Sequence, residues 1–118
     1  MFLRLLMSLA MQQEDKSNFV KVAETSEVPE GSMKSFDVSG TQVLIANVGG
    51  KYHAIGAICK HAEWDLSEGT LEDHKVVCAG HGAIWNLNTG QAEFDEPLEP
   101  EPVYKVKVEG NSILVNIG

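Results

Sequence analysis

Both cysteines in the chain are followed within three residues by a histidine: Cys59-Lys60-His61 and Cys78-Ala79-Gly80-His81. Sixteen residues separate His61 from Cys78. Gly80 and Gly82 flank His81 and supply the backbone freedom that a tight loop tip needs. Two thiols and two imidazoles on two turns make a four-ligand set, so any fold that uses them must bring both turns to one place. Two cysteines are too few for the framework of a disulfide-stapled miniprotein. A chain of 118 residues with 43% apolar and 22% charged side chains builds a core without one.

The rest of the chain from Phe19 onward reads as β structure, in short alternating or β-branched runs divided by glycine turns and without sustained helical periodicity. Phe19 to Val22 is a first strand. Met33 to Val38 and Gln42 to Asn47 form a hairpin closed at Ser39-Gly40, and Gly49-Gly50 turns the chain into Lys51 to Ile55. Near the end, Tyr104, Val106 and Val108 alternate with lysines, then Gly110-Asn111 turns into a strand carrying Ile113, Val115 and Ile117. Between these strands, residues 57–97 are rich in Gly, His, acids and small side chains, with a hairpin expected around Asn88-Thr89-Gly90. Pro97, Pro100 and Pro102 mark a stiff, extended return from this insert.

Two centres suit two thiolates and two imidazoles: a tetrahedral zinc, or a two-iron, two-sulfide cluster with thiolates on one iron and imidazoles on the other. Zinc fingers pair like ligands along the chain, Cys with Cys and His with His. Here each turn carries one of each, which suits a dinuclear centre bridging the turns. A zinc-stabilised β interaction module stays open at this point as the rival.

The order Cys59-Lys60-His61-Ala62, Cys78-Ala79-Gly80-His81-Gly82, Trp85-Asn86, Thr89-Gly90 and a loop containing Pro97 resembles the Rieske family over most of the chain. The resemblance implies an all-β fold, an antiparallel β-sandwich or barrel base with an inserted cluster-binding subdomain. It implies a [2Fe-2S] cluster whose inner iron is held by Cys59 and Cys78 and whose outer iron is held by His61 and His81. Residues 18–118 are then one Rieske domain, with residues 1–17 a flexible extension.

Departures from the family narrow the expectation. High-potential members carry a further cysteine in each cluster loop, and the corresponding positions here resemble Trp64 and Gly80, so no cross-link can form. Those members also direct a serine and a tyrosine hydroxyl at sulfur, from positions resembling Ala83 and Trp85. Without these hydroxyls the potential is expected toward the lower end of the Rieske range, roughly −150 to +300 mV. A Rieske oxygenase subunit would need a second, mononuclear iron domain, for which the chain has no room. His53 and His74 are read as incidental.

The implied role is that of a soluble, cytoplasmic one-electron carrier, passing electrons from a reductase to an oxygenase or other terminal acceptor without substrate turnover of its own. A small subunit of a larger oxidoreductase, such as a nitrite reductase, is the alternative. Net charge is −8, and residues 51–118 hold five Lys/Arg against eleven Asp/Glu. Such a surface disfavours nucleic acid and anionic lipid. The acids Glu63, Asp65, Glu68, Glu72 and Asp73, then Glu93, Asp95, Glu96, Glu99 and Glu101, read as a solvated face able to steer the protein toward basic docking surfaces of redox partners. Met1 to Met11 is apolar but broken by Arg4, short of a signal-peptide core, and no run approaches the ~20 residues of a membrane span.

Overall fold

The structure, a computed structural model, describes residues 19–59, 63–80 and 82–117. The expected extension at residues 1–17 lies outside them. No described helix is long and apolar enough to cross a membrane.

Ten strands follow in chain order: β1 (Phe19–Glu24), β2 (Met33–Val38), β3 (Thr41–Val48), β4 (Lys51–Gly56), β5 (Thr70–Glu72), β6 (Lys75–Val77), β7 (Ile84–Asn86), β8 (Ala92–Glu93), β9 (Val103–Glu109) and β10 (Ser112–Asn116). Six make one antiparallel sheet in the order β1-β10-β9-β4-β3-β2. Its outer strands β1 and β2 approach each other, so the sheet curls into a nearly closed barrel. The other four, β5-β6-β7-β8, form a smaller antiparallel sheet contributed entirely by the chain between β4 and β9.

The chain leaves and re-enters the barrel at one place. Ala54 and Ile55 of β4 pair with Tyr104 and Val103 of β9, and the Gly56 N–H donates to the Pro102 carbonyl at 3.0 Å. Everything between is therefore anchored at a common base.

Strand β3 explains how the two sheets stay together. Its run Val43-Leu44-Ile45-Ala46 is buried throughout, as expected of a strand covered on both faces. Val43 and Ile45 point into the barrel with Val28, Ala54, Ile113 and Val115. Leu44 and Ala46 face the other way, into a second core with Ile55, Leu66, Val76, Trp85 and both cysteines. The small sheet thus packs on the outer face of β3 and β4. Truncating Leu44 to Ala at such a buried position costs about 2–5 kcal/mol, and the loss would fall on the support of the cysteine loops.

The sequence missed the β5–β6 hairpin, whose turn is Asp73-His74. Its strands have only three residues each, too short for alternation to register, and Asp73 takes a left-handed φ of 53° that glycine usually marks. Val108, which sequence alternation groups with the core-facing residues of β9, is 45% exposed.

Candidate metal centre

Each cysteine opens a six-residue loop, and the two loops are closed by the same pair of backbone hydrogen bonds. The Cys59 N–H donates to the Trp64 carbonyl at 2.7 Å, and the Glu63 N–H returns to the Cys59 carbonyl at 2.8 Å. The Cys78 N–H donates to the Ala83 carbonyl at 2.8 Å, and the Gly82 N–H to the Cys78 carbonyl at 3.0 Å. The fifth residue of each loop has a positive φ, 57° at Glu63 and 77° at Gly82. Gly82 adopts this freely, whereas Glu63 adopts it at a conformational cost. Cys-x-His and Cys-x-x-His therefore sit on equivalent frames despite their different spacing.

Cys59 is 0% exposed and Cys78 2% exposed, and neither is in a disulfide. They share one apolar cluster with Leu66, Ala83 and Trp85. His61 and His81 lie outside the described residues, while the loop frames that carry them are described.

The first loop is tied to the barrel. The Asp65 carboxylate accepts hydrogen bonds from the Ser67 N–H at 2.9 Å, the Ser67 hydroxyl at 2.8 Å and, from β2, the Ser35 hydroxyl at 2.8 Å. It also caps the 3-10 turn Leu66–Glu68. Burial raises its pKa, but the bonds from Ser67 and Ser35 outweigh this and hold the carboxyl below the ordinary aspartate value. Asp65 is thus a structural acid, and its place in the expected solvated face is corrected. Glu101 is corrected too. It is buried at the return loop, where its N–H donates to the Gly90 carbonyl at 2.7 Å. Burial and Glu101 together raise the pKa of nearby Tyr104. Glu93 pairs with Lys75 at 2.7 Å. Glu63, Glu68, Glu72, Asp73, Asp95, Glu96 and Glu99 remain exposed.

Trp64, 44% exposed, closes the first loop and lies against Gly80 of the second. The positions expected to have lost a covalent cross-link are therefore in contact. His53 and His74, read as incidental, are on neither cysteine loop. They stack edge to face with ring centroids 5.5 Å apart, joining β4 to the β5–β6 turn. The His53 pKa is lowered by burial, then by His74 and Lys51. Sequence spacing gave no signal for this pair, which is 21 residues apart.

The arrangement fits a cluster with two thiolate ligands on one side. Two buried cysteines, neither in a disulfide, open matching loops around one apolar core, and that core also holds the indole N–H of Trp85, buried and without a hydrogen-bond partner among the described residues.

Residues 18–115 match the Rieske [2Fe-2S] domain. The chain is 36% identical over 97 residues to the ferredoxin component of biphenyl 2,3-dioxygenase from Rhodococcus jostii (strain RHA1), covering 82% of this chain and 91% of that one. Its fold is similar to the ferredoxin of carbazole 1,9a-dioxygenase from Nocardioides aromaticivorans IC177, with a TM-score of 0.77, 30% identity and coverage of 82% and 95%. It is similar too to a chain in a complex of reduced oxygenase and oxidized ferredoxin in carbazole 1,9a-dioxygenase, with a TM-score of 0.76, 27% identity and coverage of 83% and 92%. With its matched loops, buried thiols and nearly closed barrel, the chain belongs to the Rieske [2Fe-2S] family, as a ferredoxin that carries electrons on a [2Fe-2S] cluster.

Proposed function

We propose that Cys59 and Cys78 hold the inner iron, that His61 and His81 hold the outer one, and that the protein passes single electrons from a reductase to a terminal oxygenase in the cytoplasm. The observation that carries this reading is the equivalence of the Cys59–Trp64 and Cys78–Ala83 loops. When bound, a [2Fe-2S] cluster takes up and releases one electron. The chain contributes the rest. The cysteine side of the site is enclosed by Leu66, Ala83 and Trp85, which exclude water from the thiolates and lower the local dielectric.

An oxygenase is the favoured acceptor because the similar chains named above are ferredoxins of dioxygenases. The exposed acids of the insert and return loop favour basic docking surfaces, and they act chiefly on association rate. The test is stopped-flow electron transfer from a flavin reductase to this protein and from it to a ring-hydroxylating dioxygenase. The expected results are turnover that depends on this protein and a bimolecular rate that falls between 0.1 M and 1 M salt, as the Debye length shrinks from ~10 Å to ~3 Å. Failure to support any dioxygenase, together with stable co-purification with a larger reductase, would overturn the assignment of the acceptor. Replacing Cys59 or Cys78 with Ser is expected to abolish visible absorption and bound iron, whereas His53→Ala and His74→Ala leave both in place.

A further inference from the structure

The position of Trp85 was expected to have lost a hydrogen-bond donor, because an indole stands where high-potential relatives have a phenol. The structure points the other way. Trp85 lies in β7 directly opposite Val76 of β6, and its side chain is completely buried. Along β6 and its continuation, Val76 and Cys78 are buried while Val77 between them is not; along β7, Ala83 and Trp85 are buried while Ile84 is not. The indole therefore shares a face of the small sheet with the Cys78 thiol, and both belong to the cluster that includes Cys59.

The Nε1–H of Trp85 has no hydrogen-bond partner among the described residues. A buried donor left unpaired costs about 1–3 kcal/mol, and native structures keep few of them. The neighbouring Leu66, Val76, Ala83 and Leu87 offer no acceptor side chain. A lone water is a poor substitute, since it needs two to four polar partners. The acceptors that belong beside two cysteine thiolates in this core are the sulfurs of an iron–sulfur cluster.

We propose that the Trp85 Nε1–H donates a hydrogen bond to a sulfur of the cluster held by Cys59 and Cys78, and thereby raises its reduction potential. The inference rests on the ligand reading given above. Reduction adds one negative charge, part of which resides on sulfur, so a fixed N–H dipole stabilises the reduced state more than the oxidised one. The indole is already held by core packing, so the donor needs little reorganisation when the electron arrives. Trp85 is a positioning residue in this sense, and it supplies from an indole what the missing hydroxyls do not.

The test compares midpoint potentials of wild type and Trp85→Phe, which keeps an aromatic ring and removes the N–H, with Trp85→Leu as a second variant lacking the donor. The expected result is an intact visible spectrum and a roughly tenfold shift toward the oxidised form at fixed applied potential in both variants, which is about 59 mV for one electron. A change confined to thermal stability, with the potential unmoved, would overturn the proposal. A second measurement covers the case in which the variants fail to fold. In Trp64→Phe protein, Trp85 is the only indole, and pulsed EPR of the reduced, ¹⁵N-tryptophan-labelled protein is expected to show its nitrogen coupled to the cluster spin. Absence of that coupling overturns the inference while leaving the ligand reading intact. A wild-type protein lacking any [2Fe-2S] signal overturns both.

Discussion

The Trp64 indole lies so close over Gly80 that a Cβ at residue 80 would fall 2.6 Å from its Cδ1 and 2.7 Å from its Nε1. This contact joins the two cysteine loops by packing, at the positions that resemble those of the cross-linking cysteines of high-potential Rieske members. It requires glycine for lack of space, since no left-handed φ is recorded at residue 80.

Gly80→Ala is expected to push the indole aside, lower stability by about 1–3 kcal/mol as overpacked sites do, and speed bleaching of the cluster. In a Trp64→Ala background the same substitution should cost much less, because the clash is gone. A double-mutant cycle by thermal unfolding checks this; an equal cost in both backgrounds would show that the contact does not couple the loops.

Asp65→Ala removes the acceptor for three hydrogen bonds and leaves Ser35 and Ser67 without it. The expected loss is about 1–3 kcal/mol at pH 7, measured as a shift in the unfolding midpoint. The pH dependence has a definite sign. The folded pKa lies below 3.8, so the carboxylate's contribution is present above the unfolded value and disappears as pH falls through the folded one. Asp65→Asn should flatten the stability curve in that acidic window and nowhere else.

His53 acts in a higher window. Its folded pKa lies below 6.5 because burial, His74 and Lys51 oppose the charged form. Below 6.5 the unfolded chain binds a proton that the folded protein refuses, so stability falls as pH drops from 6.5 toward the folded pKa. The slope for one proton cannot exceed about 1.4 kcal/mol per pH unit. Subtracting the His53→Gln curve from the wild-type curve reads this contribution. A difference that does not change with pH would contradict it.

The barrel was legible in the sequence because its determinants are local. Val43 to Asn47 and Ile113 to Val115 carry strand character in their own side chains, and Ser39-Gly40 and Gly110-Asn111 carry the turns between strands. The four ligand candidates were legible because cysteine and histidine are scarce and their spacing is tight. What stayed hidden depends on partners distant in sequence. Asp65 and Glu101 look like any surface acid until Ser35 and the Gly90 turn close over them. His53 and His74 meet only because the small sheet packs on β4. The approach of Trp64 to Gly80, and the burial of the Trp85 N–H in the same core as both thiols, follow from the way the two loops fold back together.

If Cys59, Cys78, His61 and His81 together hold one cluster, pulsed EPR of the dithionite-reduced protein grown with ¹⁵N-histidine is expected to show a paramagnetic cluster strongly coupled to two imidazole nitrogens, a coupling kept in His53→Ala and His74→Ala and altered or lost with the cluster in His61→Ala and His81→Ala. A colourless protein containing zinc, or a reduced cluster with no histidine nitrogen coupling, would rule out this mixed ligation.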